Sequence, residues 1–294
     1  MIPRPGHLVG RVPAPALFVV SGLSQYLGAA LAVGLFARLG AAQVGWLRLV
    51  AAAAVLLAWR RPWRARWSGA DLRAAAAFGL TLATMNIVFY LAIARLPLGT
   101  AVAIEFIGPV AVAAITGRGW RERAGIALAA VGVVLLAGVT LSLGGPEATQ
   151  GLVLILLAAA CWAGYILLGR RMALRGDGVT RLSVAMAVGA LAWAPVLAPR
   201  SGAAFADPGL LLAVLGIAVL SSVVPYALEQ VVLRKVSAAT FAVLLAMLPA
   251  TAAVIGAVVL RQWPHPLDVV GLVLVSAAIA LTSVRRRPRP AGQD

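Results

Sequence analysis

The chain reads as an all-α integral membrane protein of ten transmembrane helices in two inverted five-helix repeats, with both termini in the cytoplasm. Three observations predict this. Ten apolar stretches of membrane-spanning length fill almost the whole sequence, basic residues crowd alternate gaps between them, and the two halves align at an offset of 140 residues.

Composition sets the solvent. Of 294 residues, 62% are hydrophobic and 12% charged, with a mean hydropathy of +0.98, against about 45–50% and about 25% in soluble domains. Crossing a hydrocarbon layer of roughly 30 Å takes about 20 apolar residues. Spans are expected at 14–36, 40–59, 74–94, 100–116, 124–141, 151–169, 179–198, 210–232, 239–260 and 267–284. The period-two alternation of a membrane β-barrel is absent, and hydrocarbon then leaves helices, which satisfy their backbone groups internally.

Charge placement gives orientation. With the N-terminus inside, the cytoplasmic segments hold 19 basic residues: Arg4, Arg11, Arg60, Arg61, Arg64, Arg66, Arg73, Arg118, Arg121, Arg123, Arg170, Arg171, Arg175, Arg234, Lys235, Arg285, Arg286, Arg287 and Arg289. The opposite loops hold four, Arg38, Arg95, Arg200 and Arg261, while Arg181 sits at an inner helix mouth and Arg48 inside a span. This is a strong positive-inside asymmetry, which predicts a bacterial inner-membrane, multi-pass topology. The net charge of +16 and pI of 11.8 therefore belong to loops facing lipid headgroups, and nucleic acid is not an expected partner. The basic start MIPRPGHLVGR leads into an apolar run of roughly 23 residues, longer than a signal-peptide core, so it reads as an uncleaved first span.

The single Cys161 excludes an intrachain disulfide, and His7 and His265 lie outside the spans, so no histidine metal site or proton relay is expected within the membrane. Trp59, Trp63, Trp67 and Trp120 near inner ends, and Trp263 near an outer one, read as interfacial anchors. Gly125, Ala129 and Gly132, like Gly28 and Ala32, read as close helix-packing positions.

The offset of 140 places Arg95 on Lys235, Thr100 on Thr240 and Pro109 on Pro249. The halves are residues 1–145 and 146–294, each a five-helix repeat. An odd number of spans per repeat inverts the second copy, and such folds commonly seat substrate near the midplane where the repeats meet. Transport is therefore favoured before any residue chemistry is read.

Three charged residues fall within the spans more than two residues from either end: Arg48, Glu105 and Glu229. Each costs about 2.5–3.5 kcal/mol on insertion scales and needs a reason. A rise of 1.5 Å per residue puts Arg48 and Glu105 at roughly 8–12 Å depth, close enough to pair. Two readings stand: an Arg48–Glu105 ion pair orienting helices or serving coupling, or Glu105 facing substrate, where its carboxylate could hold the amino group of a zwitterion or take a proton. Ser24 shares that depth, as do Gln25, Tyr26, Asn86, Tyr90, Trp162, Tyr165 and Tyr226, and these last seven with Glu105 and Glu229 form the expected substrate-binding set. Gly99, Gly108, Pro109, Pro225 and Pro249 are the expected hinges, since proline frees a backbone carbonyl and permits a kink.

MNIVFYLAIARLPLGTAVAIEFIGPVAV (85–112), ACWAGYILLGRR (160–171) and LSSVVPYALEQVVLRKVSAATFAVLLAMLPATAAVIG (220–256) resemble spans three and four, six, and eight and nine of the threonine/homoserine exporters, in the EamA branch of the drug/metabolite transporter superfamily. The resemblance covers nearly the full length. It implies a ten-helix exporter with a central cavity, moving amino acids, with threonine and homoserine the first candidates and broader neutral and aromatic amino acids next. Asn86, Tyr90, Glu105, Pro109, Tyr226 and Glu229 match the family pattern. Leu248 stands where relatives often carry Glu before the proline of span nine, and Arg261–Gln262 where they carry Gly-Glu.

Another small metabolite, such as a nucleobase, a polyamine or a nucleotide sugar, is the alternative; a nucleotide sugar would call for several cavity cations, and Arg48 is alone. No paired carboxylates, acid/base dyad, metal cluster or phosphate-binding Gly-rich loop is visible, so neither enzyme chemistry nor ATP coupling is expected, and no cofactor. The partners implied are a small-molecule substrate and the bilayer, and a closed two-repeat unit can work as a monomer. Proton antiport and export down the solute gradient both remain open.

Overall fold

The computed structural model describes residues 13–65, 67–116, 119–173, 178–225, 228, 232, 236 and 244–283, and among them no strand occurs. The helices are α1 (Ala14–Leu39), α2 (Ala41–Arg60), α3 (Gly69–Ile93), α4 (Leu98–Glu105), α5 (Ile107–Thr116), α6 (Trp120–Leu143), α7 (Gly145–Ala173), α8 (Gly178–Leu197), the short α9 (Gly202–Ala206), α10 (Pro208–Ala218), α11 (Leu248–Leu260) and α12 (Pro266–Ser283). Among the described residues six helices are long and apolar enough to cross a membrane by length and composition, and shorter apolar helical stretches lie in the four remaining predicted spans.

Local chemistry sets the helix ends. Ser68 and Asp71 form a reciprocal capping box that starts α3 at Gly69, five residues before the hydropathy-based start. Asp207 caps α10, its carboxylate accepting from the Gly209 and Leu210 amides. Arg61 and Arg261 end α2 and α11 in the left-handed region, with φ of 47° and 57°.

Packing is helix on helix through small residues. α2 lies on α8, α4 on α11 and α6 on α12; α3 is held between α7 and α8, while α1 packs on α11 and on the turn after α10. A methyl added at Gly79 would fall onto the Ala185 carbonyl oxygen, so glycine there sets how closely α3 approaches α8. The outward faces are apolar: Val134 and Leu191 are each 70% exposed and Val258 69%. Side chains of this kind on the outside of the bundle call for lipid around it.

Side-chain bridges define two ends of the bundle. Arg60 donates to Thr180 and Arg181 pairs with Asp71 at 2.7 Å, joining the end of α2 to the starts of α8 and α3. With Arg61, Arg64 and Arg73 beside them, these make a basic end. At the opposite end Arg38 pairs with Asp207 at 2.8 Å, tying α1 to α10. There too the Leu98 amide donates to Gln262 Oε1 at 2.9 Å, tying α4 to α11.

Candidate functional site

Predicted span four is not one helix. Pro109 offers no N–H to the carbonyl of Glu105, so α4 stops at Glu105 and α5 starts at Ile107, with Phe106 in a turn between them. The expected break at Gly108–Pro109 thus lies one turn earlier than the proline itself. Glu105 and Phe106 are left side by side at mid-bundle.

A second irregularity faces it. After α10 the backbone widens into a π-turn over Val219–Val223, a form frequent at functional sites, and Pro225 follows. The carbonyls released there are met by side chains of α1: Ser24 Oγ donates to Leu220 O at 2.7 Å and Ser21 Oγ to Pro225 O at 3.5 Å. Ser221 Oγ donates to Ile217 O at 2.6 Å. Gly28 lets α1 come this close, since a Cβ there would lie 2.8 Å from Ser221 Cβ.

Between these irregular segments lies a cavity of about 400 Å³, within the usual size of small-molecule sites, roughly 300–1,000 Å³. Among the described lining residues only Arg48 and Glu105 are charged. Arg48 is 9% exposed and bonded in place: Nη1 donates to Ser221 Oγ at 3.1 Å, Nη2 to Asn86 Oδ1, and its guanidinium stacks 4.8 Å above the Tyr90 ring. Asn86 is fixed in turn by donating Nδ2 to Leu82 O at 2.8 Å. Glu105 is 8% exposed and, among the described residues, makes no ion pair or hydrogen bond. Of the two readings of the sequence, the Arg48–Glu105 ion pair is not the one formed, because Asn86 and Ser221 hold the guanidinium.

The cavity collects most of the expected residues. Gln25, Tyr26, Asn86, Tyr90, Trp162 and Tyr165 line it with Arg48 and Glu105, as do Pro109 and Pro225. Gly108 lies against the α7 backbone at Ala159. Gly99 and Pro249 lie away from the cavity lining, and Pro249 opens α11 within its first turn rather than kinking a continuous helix. There its missing N–H costs nothing, because that donor has no partner within a helix anyway. Tyr226 and Glu229 lie outside the described residues, as do Lys235 and Thr240 of the repeat alignment.

Sequence reasoning missed Phe106, Phe89, Met186, Ser221 and Ser222, which also line the cavity. Phe106 meets Trp162 edge-on, ring centroids 4.6 Å apart, and Tyr165 packs on Phe78 at the same distance. A Ser-Ser pair four residues before a proline in an apolar run was the available signal for the π-turn.

The cavity reaches toward the basic end. On α5 it is lined by Pro109, Val110 and Ala113, and on α12 by Ile279 and Thr282 near the helix end, whereas no α4 residue before Glu105 contributes. The opposite end is shut: Leu98, Ala101, Ala103 and Ile104 are fully buried, and a Cβ at Gly99 would lie 2.7 Å from Ala253 Cα.

Comparison with known proteins decides the family. A threonine/homoserine exporter RhtA of Salmonella typhimurium (strain LT2) is 36% identical over 278 residues, covering 94% of this chain and 94% of its own length. The chain belongs to the EamA-like transporter family. The family model matches residues 149–284. The Escherichia coli (strain K12) threonine/homoserine exporter RhtA is 36% identical over 262 residues, 89% of this chain and 88% of that protein. An uncharacterized transporter of Archaeoglobus fulgidus is 28% identical over 170 residues, 56% of this chain and 58% of its own. One solved crystal structure superposes at a TM-score of 0.56 and 16% identity, covering 91% of this chain and 95% of that one, and shares the fold. Relatives named as exporters and transporters, with a bundle that presents apolar faces outward, make this EamA member a multi-pass membrane transporter rather than an enzyme.

Proposed function

We propose that this protein exports small zwitterionic amino acids from the cytoplasm across the bacterial inner membrane, threonine and homoserine first among them, by alternating access between two inverted repeats. The observation that carries this is the cavity with two buried opposite charges that form no direct ion pair with each other. Arg48, held by Asn86 and Ser221, presents a fixed cation to a carboxylate, and Glu105 presents a carboxylate to an ammonium. A zwitterion satisfies both, and charge-assisted hydrogen bonds are about twice as strong as neutral ones. The names of the 36% identical relatives support the same substrate class. The aromatic wall of Phe106, Trp162 and Phe89 favours room for larger neutral and aromatic side chains beside threonine.

The packing supports the two-repeat reading. Exchanging each predicted span with the one five later turns α2–α8, α4–α11 and α6–α12 into themselves, α3–α7 into the contact of α1 with the segment after α10, and α3–α8 into α2–α10. The breaks at Phe106 and at Ala246–Met247 recur at the offset of 140. The positive-inside asymmetry makes the basic end cytoplasmic, so the cavity is loaded from inside while the α4–α11 contact closes the outside.

The test is flux from vesicles of purified protein loaded with radiolabelled threonine or phenylalanine, for the native chain and Glu105→Gln. Threonine efflux that is lost in the variant supports the reading. Absence of any amino acid flux from folded protein would transfer the cavity to another metabolite class.

A further inference from the structure

At the closed end, away from the substrate cavity, lies a second and much smaller space of about 30 Å³, enough for one water-sized guest. It sits where α4, the end of α11 and α12 meet, and its lining includes the polar side chains of Thr100, Gln262 and Asp268 together with the Trp263 indole. Asp268 is 8% exposed. Its Oδ2 accepts the His265 amide at 3.0 Å, while Oδ1 is buried and has no hydrogen-bond donor among the described residues. Two end-of-bundle acids are neutralised, Asp71 by Arg181 and Asp207 by Arg38, whereas the buried Asp268 has no such partner among the described residues. The adjacent His265 turns Nδ1 to the Leu267 amide at 3.3 Å and so brings no proton of that nitrogen to the carboxylate.

A buried carboxylate without a partner is costly and calls for a cation. The side-chain acceptors around this space are hard oxygens, those of Asp268, Gln262 and Thr100, and although Gln262 and Trp263 also carry N–H groups, neither donates to Asp268 Oδ1. Oxygen donors of this kind suit alkali and alkaline-earth cations over soft ones, and one carboxylate in so small a space matches a single positive charge. We propose that Asp268, Gln262 and Thr100 form a binding site for one sodium ion.

The site has a conformational consequence. Its members come from three elements that meet only while this end is shut, with Leu98 bonded to Gln262 and Gly99 against Ala253. An ion bound there holds the closed arrangement together, since a ligand shifts a conformational equilibrium by its differential affinity for the two states. The site stands on its own geometry and is independent of which solute the central cavity carries.

Thermal unfolding of the purified full chain, in sodium chloride against choline chloride at equal ionic strength, tests it. The expected result is a saturable rise of a few degrees in Tm with sodium, absent in Asp268→Asn, which keeps the acceptor for the His265 amide. Gln262→Glu adds a second carboxylate and should lower the half-saturating sodium concentration by roughly tenfold, whereas Thr100→Val should raise it. These two variants decide the matter if Asp268→Asn does not fold. Equal Tm in both salts, a sodium response retained in Asp268→Asn, or stabilisation that follows pH with no dependence on sodium would each overturn the proposal.

Discussion

Arg48 and Glu105 face the same cavity and are not joined: the guanidinium is bonded to Asn86 and Ser221, and the carboxylate makes no ion pair among the described residues. Each should respond differently to substitution. Glu105→Gln removes a buried charge that supports no other side chain, so Tm should hold or rise. Threonine flux should fall by about 10- to 100-fold, the worth of a charge-assisted hydrogen bond of about 1.5–3 kcal/mol. Arg48→Met leaves Asn86 and Ser221 without their donor and should lower both Tm and flux. Parallel unfolding and flux measurements check the contrast; a large loss of Tm in Glu105→Gln would count against it.

Pro109 and Pro249 occupy matched places in the halves, each just after a helix break, but only Pro109 lines the cavity. Pro109→Ala restores a donor to the Glu105 carbonyl, so α4 and α5 should join into one helix and withdraw Glu105 and Phe106 from the cavity. Flux should drop by at least about tenfold with the fold retained, because misplacing a cavity group by about 1 Å can alone cost about 100-fold. Pro249→Ala, in the first turn of α11, should transport nearly as the native chain. Equal loss in both variants would restore the expectation of two equivalent hinges.

Two glycines separate packing from propensity. Gly79→Ala drives a methyl into the Ala185 carbonyl between α3 and α8 and should destabilise by about 1–3 kcal/mol, as overpacking does. Gly138 in α6 has nothing within 4 Å of an added Cβ, and Gly138→Ala should be neutral or stabilising by up to about 1 kcal/mol. Urea or thermal unfolding of the two variants reads the sign directly.

Arg261 takes a left-handed backbone, φ 57°, at the end of α11, where the resemblance would place glycine. Its own amide and that of Gln262 both return to Gly256 O, the latter at 2.9 Å, so the conformation is required by the helix end. Arg261→Gly should raise stability by about 1 kcal/mol and leave flux unchanged. A fall in Tm would show that the Arg261 side chain contributes more than its backbone strain removes.

Asp207 links a helix cap to the Arg38 pair. The Leu210 amide, Arg38 and the Gly209 amide hold its carboxyl below the ordinary value of 3.8. A depressed folded-state pKa contributes stability that is fully present above the unfolded value and is lost as pH falls through the folded one. Stability from this group should therefore be constant at neutral pH and decline only below about pH 4. In Asp207→Asn the acid side of a Tm–pH curve should be flatter; an unchanged curve would show that the pair adds nothing to folding.

The sequence by itself determined the solvent, the helices and most of the cavity set. Hydrophobic length and alternating charge are properties of composition and order, so they are written directly in residues 14–284, and Asn86, Tyr90, Glu105 and Trp162 stand out because polar and aromatic groups are rare at membrane depth. What only the tertiary structure decided is which of these groups meet. Arg48 turned to Asn86 and Ser221 rather than to Glu105, the span-four break fell at Phe106, and the span-nine proline became a helix start. Asp268, which nothing in the sequence singles out, became buried in the small space between α4, the end of α11 and α12. The physical reason is that depth along a helix follows from counting residues, whereas the partner of a side chain depends on the rotation of one helix against another. That rotation is set by close contacts such as Gly28 on Ser221 and Gly99 on Ala253, between residues far apart in the chain.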